Sequence, residues 1–99
     1  MSDSILIVAA KRSPIGAMLG ELSALKATEI GAQVIQNLVP EELKAEVNQV
    51  IMGCVLPAGL GHAPARQAAL NAGLSHQASA IRLNKVCGSG LQAVMTAFD

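Results

Sequence analysis

The residues Asn84-Lys85-Val86-Cys87-Gly88-Ser89-Gly90-Leu91 lie between two segments of different periodicity. Before them, Ala80-Ile81-Arg82-Leu83 has the branched residues that are typical of a short strand. After them, apolar residues recur at helical spacing, namely Leu91, Val94, Met95 and Phe98. The pattern predicts a strand that turns directly into a helix, with Cys87 in the turn.

A cysteine at the start of a helix has a specific chemical use. The free N–H groups and the positive end of the helix stabilise an anion such as a thiolate. Gly88 and Gly90 lack the Cβ atoms that would keep an acyl group away from the sulfur. Cys87 is therefore a candidate nucleophile. From the local pattern alone, the alternative is a small buried side chain, because free cysteine is often part of a core.

Upstream of this turn, segments with strand and helix patterns alternate. Residues 5–10 form a continuous apolar run, which predicts a strand buried on both faces of a sheet. We predict a helix from about residue 26 to the proline at position 40, a second strand within 47–55, and a second helix over 64–72 with Gly73 as its stop. This order predicts an α/β fold with a largely parallel sheet.

Composition narrows the classes of function. Seven basic and seven acidic residues cancel, which argues against a nucleic-acid partner. No apolar run is long enough to span a membrane, and the N-terminal residues lack a basic signal region. The two cysteines form no CxxC pair, which suits a reducing compartment. We expect a cytoplasmic protein, and no metal site, since no HExxH or paired CxxC motif is present.

Other residues with reactive side chains each have a simpler interpretation. Cys54 follows the second predicted strand, but no basic residue or helix start adjoins it, so we interpret it as a packing residue. His62 and His76 lie in loops, where either is a candidate general base for Cys87 and an exposed side chain without a role is the alternative. Lys85 is a candidate to assist a thiolate by its charge, although such lysines are more often solvated.

The octapeptide around Cys87, followed by Ala93-Val94, resembles the nucleophile signature of the thiolase family. Two further blocks are similar to thiolases, namely Lys11-Arg12-Ser13-Pro14-Ile15-Gly16 and Pro64-Ala65-Arg66-Gln67-Ala68. Family members often carry glutamine where this chain has His62. The resemblance runs over essentially all 99 residues.

This resemblance implies the N-terminal part of the thiolase fold, which is a layered αβαβα sandwich. The family's full domain is several times longer than residues 1–99, and the last predicted helix reaches Asp99 without a stop signal. We therefore expect residues 1–99 to be an incomplete N-terminal portion of a thiolase N-terminal domain.

The function implied by the resemblance is acyl transfer. Two acetyl-CoA molecules condense reversibly to acetoacetyl-CoA and CoA, through an acetyl-cysteine intermediate on Cys87. By resemblance, the backbone N–H of Cys87 is one donor of the oxyanion hole, and Gly88, Ser89 and Gly90 bind the substrate. Coenzyme A thioesters are then the substrates, and no cofactor is bound permanently. The complete protein is expected to be a homo-oligomer, either a dimer or a tetramer.

Two motifs of the family have no match in these residues, namely the GHP-type motif of the activating histidine and the CxGGG-type motif of the second cysteine. The chain by itself is therefore expected to be inactive. The octapeptide is closer to the biosynthetic acetyl-CoA C-acetyltransferases than to the 3-ketoacyl-CoA thiolases of fatty-acid degradation, which are the alternative. Ketoacyl synthases share the fold but carry a different context around the cysteine. The alternative from another class is a catalytically inactive fragment that acts only by association.

Overall fold

Helices and two paired strands follow one another along the chain, which gives the predicted α/β class. The computed structural model describes residues 4–99. Its elements are helix α1 (Ala27–Leu38), a 3₁₀ helix (Glu41–Glu46), strand β1 (Gln49–Gly53), helix α2 (Pro64–Asn71), strand β2 (Ser79–Leu83) and helix α3 (Ser89–Phe98). Within the described residues, no helix is long and apolar enough to cross a bilayer.

The strands β1 and β2 pair in parallel, with Val50 opposite Ala80 and Gly53 opposite Leu83. Helix α2 connects them, because parallel neighbours cannot be joined by a tight turn. The parallel register brings the carboxyl ends of both strands to one edge of the sheet. The turn that carries Cys87 begins at this edge.

Helices cover both faces of the sheet. On one face, buried Val50 packs with residues of α1 and α2, including Ile35 and Ala69. Side chains alternate along a strand, so Gly53 points to the opposite face. A Cβ atom placed on Gly53 would lie within 2.9 Å of Ser89 and Gly90, so α3 packs closely on that face.

The core is built from small side chains. Apart from Val50 and Leu74, the buried apolar residues are all alanines: Ala32, Ala65, Ala68, Ala69, Ala72, Ala78 and Ala93. Such residues let helices approach closely, and the Cβ of Ala68 would be 3.5 Å from a Cβ built on Gly31 of α1. They also bury little apolar area per residue, and hydrophobic stabilisation is roughly proportional to that area.

The ends of the helices follow the predicted signals. Helix α1 begins after Lys26, whose backbone N–H donates to Oε1 of Glu29 at 2.9 Å. It ends just before Pro40, which cannot donate the next backbone bond. Helix α2 begins at Pro64 and is followed by Gly73 in the left-handed region at φ +89°.

The strand predicted for residues 5–10 is absent from the described chain, so that prediction was wrong. The segment has no regular structure and is exposed, with Ile7 at 83% and Val8 at 89%. A strand buried on both faces needs a neighbouring strand for its N–H and C=O groups. In the part of the chain that the structure describes, β1 and β2 pair only with each other.

The apolar stripe that predicted α3 is not the face that contacts the sheet. Leu91, Val94, Met95 and Phe98 are all exposed, whereas the buried positions of the helix are Ser89 and Ala93. Small residues occupy the contact because α3 lies directly against Gly53 of β1. The helix was predicted correctly, and its buried face was not indicated by the stripe.

Candidate active site

Cys87 lies in the turn between β2 and α3, where the sequence predicted it. Strand β2 ends at Leu83, and Gly88 is the N-cap of α3. Cys87 therefore immediately precedes the cap, at the positive end of the helix. Its side chain is a free thiol on an exposed residue.

The side chain of Ser89 forms two hydrogen bonds within this turn. The residue is 5% exposed, and its Oγ accepts a hydrogen bond from the N–H of Lys85 at 2.8 Å. The same hydroxyl donates to the carbonyl oxygen of Val86 at 2.7 Å. The N–H of Gly88 also donates to the carbonyl oxygen of Lys85 at 2.9 Å. These hydrogen bonds connect the two residues before Cys87 with the two residues after it.

Asn84 fixes the first residues of the turn. Its Oδ1 accepts the N–H of Val86 at 2.9 Å, in an Asx turn, and its Nδ2 donates to the carbonyl oxygen of Val55 at 3.4 Å. Val86 adopts a φ of +48°, in the left-handed region that branched residues rarely occupy. The hydrogen bonds around Val86 hold it in a conformation that its own side chain disfavours.

The backbone N–H of Cys87 is not used by these hydrogen bonds. They take the N–H groups of Lys85, Val86, Gly88 and Ser89, the last of which donates to the carbonyl oxygen of Val86 at 3.2 Å. A backbone N–H beside a nucleophilic sulfur is the kind of donor that stabilises the oxyanion of acyl transfer.

A Cβ atom would fit at both of the glycines predicted to bind substrate. A Cβ atom on Gly90 would meet nothing within 4 Å, and one on Gly88 would lie 3.5 Å from the carbonyl oxygen of Lys85. Substrate binding by Gly88, Ser89 and Gly90 stays a prediction. For Ser89, the buried hydroxyl and the backbone N–H are both already hydrogen-bonded within the turn.

Cys54 lies beyond β1 at the same edge of the sheet. Its N–H donates to the carbonyl oxygen of Leu83, and its own carbonyl oxygen accepts from Nη1 of Arg82, both at 3.0 Å. The residue is half-buried and lines a small cavity of about 80 Å³ with Met52 and Ala68 among others. The role of the Cys54 side chain in packing stays a prediction.

Neither histidine is brought to Cys87. His62 and His76 are exposed, and within residues 4–99 neither forms a hydrogen bond with the cysteine. Nζ of Lys85 donates to Oε1 of Gln92 at 3.3 Å. The described residues also contain no group of three His, Cys, Asp or Glu side chains that could hold a metal ion.

Arg66 and Gln67 hold the two loops that flank α2, a role that the sequence did not reveal. The guanidinium of Arg66 donates to the carbonyl oxygens of Ala78 at 2.8 Å and His76 at 2.9 Å. Nε2 of Gln67 donates to those of Leu60 at 2.6 Å and His62 at 2.7 Å. The signal in the sequence that could have revealed this role was a pair of adjacent long polar residues in an alanine-rich helix.

The chain matches known proteins over nearly its whole length. The family model described as "Thiolase, N-terminal domain" matches residues 5–99. An acetyl-CoA acetyltransferase of Allochromatium vinosum is 50% identical over 101 residues, which cover 100% of this chain and 26% of that protein. The acetyl-CoA acetyltransferase of Thiocystis violacea is 52% identical, with the same coverage. A mitochondrial acetyl-CoA acetyltransferase of Homo sapiens is 46% identical over 94% of this chain and 22% of that protein.

This chain spans about a quarter of the length of the curated relatives that it matches. The similarity covers both flanks of Cys87, from the segment before α1 to the end of α3. The family match and these identities together show that the chain belongs to the thiolase family.

Proposed function

We propose that this chain supplies the nucleophile of an acetyl-CoA C-acetyltransferase. The observation that carries the proposal is the exposed thiol of Cys87 at the N-terminus of α3, in a member of the thiolase family. The relatives described above are named acetyl-CoA acetyltransferases, which favours acetyl-CoA over longer acyl chains as the substrate. The reaction is the reversible condensation of two acetyl-CoA molecules to acetoacetyl-CoA and CoA.

In the first half of the reaction, the thiolate of Cys87 attacks the thioester carbon of acetyl-CoA. A bond from Sγ to the acetyl carbon forms, the bond from that carbon to the CoA sulfur breaks, and the CoA thiolate takes up the proton that Cys87 released. One thioester replaces another, so the step costs little free energy and divides a difficult reaction into two easier ones. The N–H of Cys87 donates to the oxygen that becomes negatively charged during the attack.

In the second half, a base removes a proton from the methyl group of another acetyl-CoA. The resulting carbanion attacks the acetyl-cysteine, which yields acetoacetyl-CoA and releases the thiolate of Cys87. His62 and His76 do not contact Cys87, and Cys54 is bound into the sheet edge. The proposal therefore assigns this base, and the group that activates Cys87, to the histidine and cysteine motifs of the family that are not among these 99 residues.

The proposal includes no permanently bound cofactor, because the thioester itself brings an activated acyl group to the cysteine. It also places the protein in the cytoplasm as a homo-oligomer, a dimer or a tetramer. Two free cysteines suit a reducing compartment. The oligomeric state rests on the resemblance alone, and sedimentation of the active protein measures it.

A hybrid chain tests the proposal. In it, residues 1–99 replace the matching quarter of the Allochromatium vinosum acetyltransferase, and the unmodified relative is the control. We expect the hybrid to form acetoacetyl-CoA from acetyl-CoA, and to cleave acetoacetyl-CoA with CoA faster than it cleaves long-chain 3-ketoacyl-CoA. The 99-residue chain alone should show no turnover.

A preference for long-chain 3-ketoacyl-CoA would point to the degradative thiolases instead. A hybrid that folds like the control but turns over neither substrate would contradict the proposed function.

A further inference from the structure

We propose that Ser89 is a positioning residue for Cys87, holding the nucleophile turn through its buried hydroxyl and not touching the substrate. The inference rests on the proposed function, in which Cys87 is the nucleophile. It gives Ser89 a role different from the substrate contact that the sequence predicted.

The first observation is that the hydroxyl of Ser89 is buried and forms two hydrogen bonds, one as acceptor and one as donor. Ser89 is 5% exposed, and Thr28 is the other buried polar residue of the described chain. Its Oγ accepts from Lys85 at 2.8 Å and donates to Val86 at 2.7 Å. A serine hydroxyl has one proton to donate, and here that proton goes to the turn. A substrate atom would have to compete with an internal bond for it.

The second observation is which residues the hydroxyl holds. Lys85 and Val86 are the two residues that precede Cys87, so their conformation sets where its N–H and Sγ point. Val86 has a φ of +48°, which a branched side chain disfavours. Without a constraint, Val86 should return to negative φ, and this rotation would turn the peptide plane that carries the N–H of Cys87.

The third observation is that Ser89 is itself anchored to the sheet. A Cβ built on Gly53 would lie 2.8 Å from the Cβ of Ser89 and 2.7 Å from its carbonyl carbon. Because glycine is present, the first turn of α3 rests against the end of β1. Ser89 therefore connects the end of β1 with Lys85 and Val86, the two residues before Cys87.

The experiment compares two variants of the hybrid chain, Ser89→Ala and Ser89→Thr, with Ser75→Ala as the matched control. Oγ of Ser75 also accepts a backbone N–H, from Gln77 at 3.1 Å, but in the turn before β2. Peptide-level mass spectrometry measures the rate at which iodoacetamide alkylates Cys87, with Cys54 in the same molecule as the reporter of folding.

Loss of the hydroxyl should release Lys85 and Val86. Cys87 would then no longer be held at the N-terminus of α3. A helix N-terminus stabilises a nearby anion, and the thiolate is the form that reacts with iodoacetamide. We therefore expect the alkylation rate at Cys87 to be about two- to fivefold lower in Ser89→Ala. The rate at Cys54 should stay the same. Ser89→Thr, which keeps the hydroxyl, should restore the rate at Cys87, and Ser75→Ala should change neither thiol.

An unchanged rate at Cys87 in Ser89→Ala would overturn the inference. So would an equal change at both thiols, because it would mean that Ser89 supports the fold as a whole. Failure of Ser89→Thr to restore the Cys87 rate, with the Cys54 rate unchanged, would also count against it. Alkylation requires neither acetyl-CoA nor turnover, so an inactive hybrid chain would contradict the proposed function without affecting this result.

Discussion

Cys54 and Cys87 both follow the carboxyl ends of paired parallel strands, yet they occupy different chemical environments. Cys54 comes directly after β1, and both its N–H and its C=O are bonded to residues of β2. Cys87 lies outside the sheet, in a turn whose hydrogen bonds do not use its N–H. Cys54 is half-buried and Cys87 is exposed.

The difference shows that the sheet edge alone does not determine the surroundings of a cysteine. The two surroundings differ because the chain continues differently after each strand. Beyond β1 it becomes a glycine- and proline-rich loop, whereas beyond β2 a short turn leads into a helix. A thiol that precedes a helix lies near the positive end of the helix dipole. Four predictions test this comparison, beginning with the largest expected effect.

Removing the thiol of Cys87 should change the catalytic rate of the hybrid chain far more than removing the thiol of Cys54. We expect Cys87→Ala to lower the rate of acetoacetyl-CoA formation by roughly a thousandfold or more, because loss of a nucleophile removes the covalent route. Cys54→Ala should keep the rate within about threefold, since it removes only a small packing group. The measurement is a steady-state assay of the two purified variants. Similar losses in both would mean that the contrast between the two sites is not catalytic.

The end of β1, next to Cys54, contacts the first turn of α3, next to Cys87. This contact depends on Gly53, the last residue of β1. Gly53→Ala should lower the free energy of unfolding by about 1–3 kcal/mol, because its Cβ would overlap Ser89 and Gly90. Gly90→Ala is the matched control. Its Cβ meets nothing within 4 Å, and alanine is the better helix former by about 0.5–1 kcal/mol. Urea denaturation measures both, and equal stabilities would contradict the close approach of α3 to β1.

The strain at Val86 gives a smaller effect. Asparagine tolerates left-handed backbone better than valine, and Val86 is 65% exposed, so Val86→Asn loses little burial. The substitution should raise the free energy of unfolding by up to about 1 kcal/mol. Val94→Asn on the exposed face of α3 is the control and should bring no gain. Equal changes at both positions would show that the turn stores no strain.

Local signals predicted the parts of the fold that depend on neighbouring residues. The start of α1, the stop before Pro40, the bounds of α2, and the strand, turn and helix around Cys87 all follow from residues close in sequence. Capping, proline and glycine act over one turn of a helix, so the sequence contains their cause.

Features that depend on distant partners were not predictable in this way. Residues 5–10 have the composition of a buried strand, but a strand also needs a neighbour, and composition does not supply one. The direction of the Ser89 hydroxyl depends on how β1 and α3 meet at Gly53. The buried face of α3 has the same cause, because the most apolar side of the helix is not the side that contacts the sheet.

The most direct test of the account is to find which thiol accepts the acetyl group. The hybrid chain is mixed with acetyl-CoA, quenched in acid within the first turnover, and analysed by peptide-level mass spectrometry. We predict one acetyl group on the peptide that contains Cys87, none on the peptide that contains Cys54, and loss of the label when CoA is added. Acetylation of Cys54 ahead of Cys87 would contradict the assignment of the nucleophile.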